Sequence, residues 1–440
     1  MRVRCSPAHP KPSSPSGGER LQVPLHGRPM RIQGALALSS LLVAACGGAT
    51  SDEAALRWLK GNTHTHTLWS DGDAAPEQVA AWYADNGYQF LVLSDHNIYQ
   101  DHERWFPVAE DGVGRLKPSE VDALITRFGA DKVELRGDLG GREMRLRTLT
   151  ELKEELERQP AEGADGFLLL PGEEVTSSFE GRPVHINAVN TDGVLPALQR
   201  ASIVELMGDT LRSIEEAGAA SGRPVFGHLN HPNFGWGVTW EEVAAVKEDR
   251  FFEVYNGHRS TRNQGDSEHP SMEELWDRAL TRRLTAEEPF PLLYGVATDD
   301  AHHYFGNLTS PTGRGWVMVR AAALDRDSVT AAMNRGDFYA SSGVTLEDLE
   351  VTETGYRVRV KEDGDASFRI RFIGTRQLDG GPGPVGEELM VVEGPEAEYR
   401  FAGDELYVRA QVTSSQLHPR PYLEGDREMA WTQPARPGTR

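Results

Sequence analysis

The sequence has few cysteines and no long hydrophobic run. Cys5 and Cys46 are the only cysteines among 440 residues, and cleavage before Cys46 would leave no pair for a disulfide. We therefore expect the core and bound metal to stabilise the fold. No apolar run is long enough to cross a bilayer, and a content of 38% hydrophobic and 26% charged residues is typical of a soluble globular protein.

Basic residues are scarce as well. Lys and Arg number 46 against 67 Asp and Glu, which gives a formal net charge of −21 at pH 7. An acidic surface repels polyanions, so nucleic acid is not expected as a partner. The Gly-x-Ser-x-Gly pattern that carries a serine nucleophile is also absent.

The N-terminal region resembles a lipoprotein signal. Two arginines precede an apolar stretch, ALALSSLLVAA, that is too short for a membrane helix. The residues Val43-Ala44-Ala45-Cys46 resemble a bacterial lipoprotein cleavage box. We therefore expect residues 1–45 to be an upstream segment and signal peptide, with a lipid anchor on Cys46 and a tether at 46–55. The protein would be a secreted lipoprotein at the periplasmic or cell-envelope face of a bacterial membrane; a buried N-terminal helix is the alternative.

Residues 56–343 alternate between strand and helix patterns. Continuous apolar runs such as that from Phe90 to Leu93 indicate strands buried on both faces, and segments of helical spacing separate them. This alternation predicts an α/β protein with a parallel sheet and helices outside, either open or closed into a barrel. Residues 98–165 form a charged insertion with one clear helix around Leu149 to Arg158. A lid over the site and a decorative excursion are both compatible with this insertion.

From residue 344 to residue 440 the pattern changes. Apolar and polar residues alternate at 356–360, 368–372 and 406–412, between Gly, Asp and Pro turns. This alternation predicts a small antiparallel, sandwich-like β-domain with one solvated face per sheet. The arginines of these strands occupy positions expected to face solvent, where strand solubility explains them.

The stretch GNTHTHTLWSDG, from Gly61 to Gly72, is the first that suggests chemistry. His64 and His66 lie two apart in a predicted strand, so both would project from one face, separated by about 7 Å along it. A turn at 70–72 would bring Asp71 back toward them. Two imidazoles and a carboxylate suit a metal ion, although a pair of exposed strand histidines is the alternative.

Metal-type residues recur where the predicted strands end. Six segments carry them: HTHTLWSDG, LSDHN, PGEEVT, HINAVN, NHP and TDDAH. Active sites of α/β folds lie at the C-terminal strand ends because the loops converge there. In this order the segments resemble the PHP (polymerase and histidinol phosphatase) superfamily of metallohydrolases over about residues 56–343. The cleavage box and the segment at 430–434 resemble its secreted, carbaryl hydrolase-like branch.

The resemblance implies a distorted seven-stranded (β/α) barrel of the PHP type with a trinuclear metal centre at the C-terminal face. Carried over motif by motif, it implies nine metal ligands: His64, His66, Asp71, His96, Glu174, His185, His231, Asp300 and His302. In the Gly-x-Glu pattern Gly172 aligns with Glu174 rather than Glu173 as the ligand, whereas the adjacent Asp299 and His303 leave a one-residue alternative at the last motif. Two to three divalent transition metals, Zn²⁺, Mn²⁺ or Fe²⁺, suit such imidazole and carboxylate ligands.

Adjacent metals would lower the pKa of a bridging water and so provide hydroxide as nucleophile. Asp95 is a candidate proton donor or a carboxylate behind the ligands, and His228 is a candidate proton donor or a buried core histidine. Arg259 would bind a substrate phosphate bidentately or form a surface salt bridge. His258 is a further candidate proton donor, and Glu253 is expected to orient a ligand.

These features predict a metal-dependent hydrolase whose small-molecule substrate is a phosphoester. A carbamate, ester or amide hydrolase with the same centre is the alternative among enzymes. A non-catalytic metal-binding lipoprotein is the alternative outside them. The predicted open, multi-metal site argues against that last alternative, because structural metal sites are usually closed.

Overall fold

The computed structural model describes residues 56–109, 116–138, 140–157 and 166–438. The predicted signal peptide, the lipid anchor at Cys46 and the tether lie outside these residues, so they stay predictions. No helix within the described ranges combines the length and the apolar character needed to cross a membrane.

Strands and helices alternate in the first part of the chain. Up to residue 157 the elements are β1 (Arg57–Asn62), α1 (Pro76–Asp85), β2 (Phe90–Leu93), β3 (Trp105–Pro107), α2 (Pro118–Phe128), β4 (Leu135–Arg136), β5 (Glu143–Arg145) and α3 (Leu149–Leu156). The described residues of the insertion therefore form three short strands and a second helix besides the helix that the sequence indicates.

The alternation continues after the insertion. From residue 166 to residue 341 the elements are β6 (Leu168–Phe179), β7 (Arg182–Val189), α4 (Ile203–Ser221), β8 (Phe226–Leu229), a 3-10 turn (Phe234–Trp236), α5 (Trp240–Ala245), β9 (Phe251–Asn256), α6 (Met272–Leu284), β10 (Tyr294–Thr298), β11 (Trp316–Ala321), α7 (Arg326–Arg335) and β12 (Phe338–Ser341). Buried side chains of α4 and α6 share one hydrophobic cluster with β7, β8 and β9, which fixes those strands against the helices.

Local sequence accounts for the limits of these helices. α6 begins after Ser271, whose hydroxyl accepts from the Glu274 N–H while the Glu274 carboxylate accepts from the Ser271 N–H, a reciprocal capping box. α4 ends at Gly222, which has a φ of 67°. Glycine adopts this left-handed conformation without the steric cost that a side chain would add.

One large mixed sheet organises the fold. Its strand order is β10-β9-β8-β7-β6-β2-β1-β11-β12, and it continues into the C-terminal region. The pairs β1–β2, β2–β6, β8–β9 and β9–β10 are parallel. The expectation of a parallel sheet is wrong at β11, which is antiparallel to β1 and β12, and at β7, which is antiparallel to both neighbours. A two-residue turn at Glu180 and Gly181, with φ of 51° and 81°, joins β6 to β7 as a hairpin, and a hairpin imposes antiparallel pairing.

Within the described residues, the seven strands β1, β2 and β6–β10 do not form a ring of paired strands, because β10 is an edge of the hydrogen-bonded order. Beyond the strand ends, Thr65 and Ala301 form a parallel bridge. The His66 N–H donates to the Ala301 carbonyl at 2.9 Å, and the Asp300 N–H donates to the His64 carbonyl at 3.0 Å. The fold is thus mixed α/β with a large mixed sheet, and the seven-stranded barrel stays a prediction.

From residue 344 the elements are all strands within the described residues: β13 (Leu346–Val351), β14 (Gly355–Val360), β15 (Phe368–Leu378), β16 (Gly381–Pro382), β17 (Glu387–Glu393), β18 (Glu396–Arg400), β19 (Glu405–Leu417) and β20 (Arg427–Thr432). β20 pairs with β12, and β19, β15 and β16 extend the large sheet. Two small antiparallel sheets accompany it, β13-β14-β18 here and β3-β5-β4 in the insertion. The domain boundary at residue 343 stays a prediction.

One arginine of the C-terminal strands is buried, against expectation. Arg409 in β19 is 1% exposed, and its Nε and Nη2 donate to the two carboxylate oxygens of Asp277 in α6 at 2.9 and 2.7 Å. The Tyr407 hydroxyl donates to the same carboxylate at 2.8 Å. The expectation that these arginines face solvent is wrong here, because α6 packs on this face of the sheet and supplies the partner.

Replacing Arg409 with alanine is expected to lower the free energy of unfolding by about 3–5 kcal/mol, because the Asp277 carboxylate would stay buried without its cation. Chemical denaturation followed by circular dichroism measures this change. Arg369→Ala is the matched control, since Arg369 lies on the neighbouring strand β15 with its side chain 51% exposed, where ion pairs contribute about 0–1 kcal/mol. Equal losses in the two variants would contradict the role given to the Arg409–Asp277 pair.

Candidate metal centre

The first histidine motif lies beyond the end of β1, not inside it. β1 ends at Asn62, and the N–H groups of Ser70 and Gly72 close the following turn by donating to the Thr67 carbonyl at 3.1 and 2.9 Å. The Nε2 atoms of His64 and His66 are only 3.1 Å apart. The expectation that the two histidines lie inside the strand is therefore wrong, whereas their nitrogens are close enough to reach the same ion.

Asp95 holds this loop from behind. Its buried carboxylate accepts from the Thr67 N–H at 2.8 Å, the Thr67 hydroxyl at 2.9 Å, the Ser70 hydroxyl at 2.6 Å and the Gln100 amide at 3.0 Å. The Ser70 oxygen also lies 3.3 Å from Nδ1 of His66, so Asp95 orients His66 through Ser70. This arrangement fits a carboxylate behind the ligands, and the catalytic role of Asp95 stays a prediction.

Glu174 in β6 is the carboxylate around which the histidines gather. It is fully buried, and its two oxygens face five imidazoles. Oε2 lies 3.2 Å from Nε2 of His64, 3.2 Å from Nε2 of His66 and 3.0 Å from Nδ1 of His96. Oε1 lies 2.9 Å from Nδ1 of His185 and 3.5 Å from Nε2 of His231. A single carboxylate thus touches residues from most of the predicted motifs.

One group combines His64, His66 and Glu174, with Nε2 of each histidine facing Oε2 of Glu174, and Oδ1 of Asp300 also faces the two nitrogens. The nitrogens are 3.1 Å apart, and each lies 3.2 Å from each of the two oxygens. An ion with bonds of about 2.0–2.1 Å requires ligand atoms roughly 3.0–3.4 Å apart. The spacing among the two nitrogens and Oε2 of Glu174 therefore fits three ligands of one divalent cation, and Oδ1 of Asp300 lies at the same spacing from both nitrogens.

A second group combines Asp71 with His66, His96 and His302. Oδ1 of Asp71 lies 3.3 Å from Nε2 of His302, and Oδ2 lies 3.6 Å from Nε2 of His96. The His302 ring stacks on that of His66 with centroids 4.1 Å apart. The Asp71 side chain is 54% exposed, so this part of the cluster opens to solvent.

Two further groups are His96 with Glu174 and His185, and His64 with His231 and Asp300. Within each group, candidate ligand atoms lie within 4.8 Å of one another. All nine predicted ligands belong to at least one of these groups of described residues, which can hold divalent metal ions. The number of ions and the binding role of each residue stay predictions.

Three residues next to predicted ligands have different surroundings. Glu173 accepts a hydrogen bond from the Leu195 N–H. Asp299 accepts from the Tyr83 hydroxyl at 2.7 Å and from three backbone N–H groups at 313–315. His303 belongs to none of the groups found in the described residues. The geometry therefore favours the register with Glu174, Asp300 and His302 as ligands.

Polar side chains behind the ligands fix their orientation. Nδ1 of His64 lies 2.7 Å from Oε1 of Glu253, so the ring proton lies on Nδ1 and Nε2 is left for a metal. Three side chains donate hydrogen bonds to the carboxylates. The Thr298 hydroxyl donates to Glu253 at 2.6 Å, and the Asn230 amide donates to Glu174 at 2.8 Å. The Asn256 amide donates to Glu253 at 2.7 Å and to Asp300 at 3.1 Å. Sequence reasoning anticipates Glu253 in this role but misses the three donors. Their only signal is their place at strand ends or beside a ligand.

The buried carboxylates demand positive charge. Burial raises the pKa of Glu174, but His96, His64 and His185 outweigh burial and hold that pKa well below its usual range. Burial lowers the pKa of His96, yet Glu174 and Asp71 raise it to about 11. Protons on the imidazoles or bound cations meet this demand, so the centre is electrostatically suited to metal ions.

The other two catalytic candidates lie in different surroundings. His228 is fully buried with its ring centroid 6.3 Å from that of His64, and burial lowers its pKa to about 4. An uncharged ring behind the ligands fits the alternative of a core histidine. Arg259, in the loop after β9, is exposed, and its guanidinium forms no ion pair within the described part of the chain. Both catalytic roles stay predictions.

The insertion packs against the first metal-binding loop. Leu68 and Trp69 belong to the hydrophobic cluster that forms the core of the insertion, with Phe106, Leu124, Met144 and Leu146. The Trp69 indole N–H donates to the Arg147 carbonyl at 3.1 Å. The insertion therefore braces the loop that carries His66 and Asp71.

Comparisons with known proteins do not establish a family. No protein-family model matches the sequence, and no curated protein matches it. One similar solved structure, from Bacteroides vulgatus, is a two-domain protein named as containing a predicted PHP-like metal-dependent phosphoesterase. It is 15% identical, with 86% of this chain and 96% of that chain covered and a TM-score of 0.41.

A second similar structure, from Bifidobacterium adolescentis, is named as a candidate metal-dependent phosphoesterase. It is 14% identical, with 57% of this chain and 92% of that chain covered and a TM-score of 0.30. Because both TM-scores lie below 0.5, neither likeness determines the fold, the family or the activity of this chain.

Protein purified without added metal is expected to carry at least about two equivalents of transition metal, since the ligand groups are arranged around shared residues. Glu174→Gln should lose most of this metal, because Glu174 contacts five histidines, and elemental analysis measures the loss. Glu173→Gln is the matched control, as Glu173 is equally buried but points to Leu195. Equal metal content in the two variants would show that Glu174 does not hold the ions.

Proposed function

We propose that this protein is a metal-dependent hydrolase that cleaves phosphoesters at a centre of two to three divalent ions. The observation that supports the proposal most strongly is the packing of imidazole nitrogens around the Glu174 carboxylate, four of them at 2.9–3.2 Å from its oxygens. The nine residues in these groups would hold the ions. A trinuclear arrangement agrees with the overlap of several groups on shared ligands.

The donor set suits Zn²⁺, Mn²⁺ or Fe²⁺. When bound, such ions supply a nucleophilic hydroxide at neutral pH and stabilise the negative charge that develops on the substrate oxygens. The chain contributes the orientation of the ligands. Glu253 accepts the Nδ1 proton of His64, and the Asp300 carbonyl accepts that of His302 at 2.9 Å, so both rings present Nε2 to the centre.

Two residues after β9 favour a phosphoester over other hydrolysable groups. Arg259 follows His258 in the chain, and its exposed guanidinium forms no ion pair within the described residues; a guanidinium binds phosphate oxygens bidentately. The His258 ring lies 5.5 Å from that of His302. The Ser260 N–H donates to its Nδ1 at 3.2 Å, so the ring proton lies on Nε2. We propose that Arg259 binds the phosphoryl oxygens and that His258 donates a hydrogen bond to the substrate.

The proposal extends to the architecture around the centre. The bridge between Thr65 and Ala301 joins the segments that follow β1 and β10, which supports a seven-stranded barrel of the PHP type closed at the metal end. The motif order in the sequence supports membership of the PHP superfamily. The cleavage box before Cys46 supports a lipid-anchored protein at the periplasmic or cell-envelope face of a bacterial membrane.

The metal-loaded protein is expected to hydrolyse p-nitrophenyl phosphate or bis(p-nitrophenyl) phosphate, because an anionic ester matches both the cations and Arg259. Dialysis against a chelator should lower the rate at least about 100-fold, and adding back Zn²⁺, Mn²⁺ or Fe²⁺ should restore it. The release of p-nitrophenol measures both effects.

His185→Ala should reduce the rate as chelation does. His269→Ala is the control, because His269 pairs with Asp266 outside the cluster. If the protein hydrolysed only carbamates or carboxylic esters, the phosphoester substrate would be excluded and the alternative hydrolase would be supported. Metal binding without hydrolysis of any ester would contradict an enzymatic role.

A further inference from the structure

A tyrosine of the C-terminal region contacts the loop that carries Arg259. Tyr422 lies between β19 and β20 and is 3% exposed. Its hydroxyl donates to the Arg259 carbonyl at 3.1 Å and accepts from the Arg262 N–H at 2.9 Å. The two partners are three residues apart, so this one hydroxyl holds both ends of the turn that contains Arg259.

The other backbone group of Arg259 is also fixed. Its N–H donates to the Thr309 carbonyl at 3.0 Å, in the loop that follows His302. Both backbone polar groups of Arg259 are thus held by distant parts of the chain, whereas its side chain is exposed. A fixed backbone limits the positions that a long, flexible side chain can reach, which reduces the entropy lost when it binds a ligand.

A buried arginine ties the same loops to the C-terminal region. Arg314 is 1% exposed, and its guanidinium donates to the carbonyls of Gly257 (2.6 Å), Leu308 (2.9 Å) and Arg420 (3.1 Å). The Arg314 carbonyl in turn faces Nε2 of His418 at 3.1 Å. The segment 418–422 therefore braces the loops after β9 and β10, which carry Arg259 and His302.

The turn itself is strained enough to need this support. Arg262 has a φ of 54°, a left-handed conformation that costs free energy for a residue with a side chain. Without the Tyr422 hydroxyl, the Arg262 N–H and the Arg259 carbonyl would each lose a partner. The turn would then be free to relax, and Arg259 would move with it.

We propose that Tyr422 is a positioning residue that fixes the Arg259 turn so that the guanidinium meets the phosphoryl group of the substrate. This inference rests on the proposed function. It also gives the C-terminal β-region a role at the metal centre, which it performs by supporting a substrate-binding loop without contacting the substrate.

Tyr422→Phe tests the inference in the full-length, metal-loaded protein, because phenylalanine keeps the ring packed near Tyr255 and removes only the hydroxyl. The KM for the cleaved nitrophenyl phosphate ester is expected to rise about two- to tenfold, the range that corresponds to one hydrogen bond. The kcat should change less, since a positioned cation contributes binding that the ground state and the transition state share. Metal content should match that of the wild type, and the melting temperature should fall by only about 2–4 °C per kcal/mol of lost hydrogen bonding.

The decisive comparison uses the background Arg259→Ala, which should itself raise KM. If Tyr422 acts through Arg259, adding Tyr422→Phe to Arg259→Ala causes no further increase. Tyr399→Phe is the control, because Tyr399 is a buried tyrosine of the same region whose hydroxyl bonds Glu405 and Arg376. The positioning role would be overturned if Tyr422→Phe raised KM by the same factor in the wild-type and Arg259→Ala backgrounds, or if it changed KM in neither.

A binding measurement separates this inference from the proposed function. Calorimetric titration of the metal-loaded protein with inorganic phosphate reports the Kd for the same set of variants, without any turnover. The inference is supported if Tyr422→Phe raises the Kd for phosphate in the otherwise wild-type protein but causes no further rise in the Arg259→Ala background. A wild type that neither binds phosphate nor cleaves phosphoesters would remove the proposed function and the positioning role together. A wild type that does both, with Tyr422→Phe unchanged, would remove only the positioning role.

Discussion

The structure depends on the burial of one carboxylate, that of Glu174, among imidazoles. A buried charge is tolerated only where partners compensate it, and Glu174 has five histidines and the amide of Asn230 around its two oxygens. The same arrangement brings nitrogen and oxygen atoms together at the spacing of a metal coordination sphere. The same cluster of side chains around Glu174 thus both attracts positive charge and provides the geometry of a metal site.

The remainder of the chain supplies supports in layers around that carboxylate. Asp95 fixes the loop of the first motif, and Glu253 fixes His64. Farther out, the insertion packs on Trp69, and the C-terminal region contacts the Arg259 loop through Tyr422. Ligands on loops need such external support, because the loops have few hydrogen bonds of their own. The two regions outside the α/β core therefore both contact loops that carry predicted site residues.

The sequence is informative where the signal is local and repeated. His64, Glu174 and Asp300 each follow or lie within an apolar run, so their convergence could be predicted, as could most helices and the all-strand C-terminal pattern. The pairing of Arg409 with Asp277 could not, because alternation shows which residues share a face but not that α6 covers it, 132 residues away. The contact of Tyr422 with Arg259 spans 163 residues and leaves no pattern in the sequence. The antiparallel β7 depends on a two-residue turn at Glu180 and Gly181 that alternation alone does not reveal.

Anomalous X-ray diffraction from crystals of the protein, collected across the manganese, iron and zinc absorption edges, tests the central claim most directly. The account predicts at least two anomalous peaks, one of them within bonding distance of His64, His66, Glu174 and Asp300. Well-ordered side chains at these four positions with no anomalous peak between them, in crystals grown with these metals present, would contradict it.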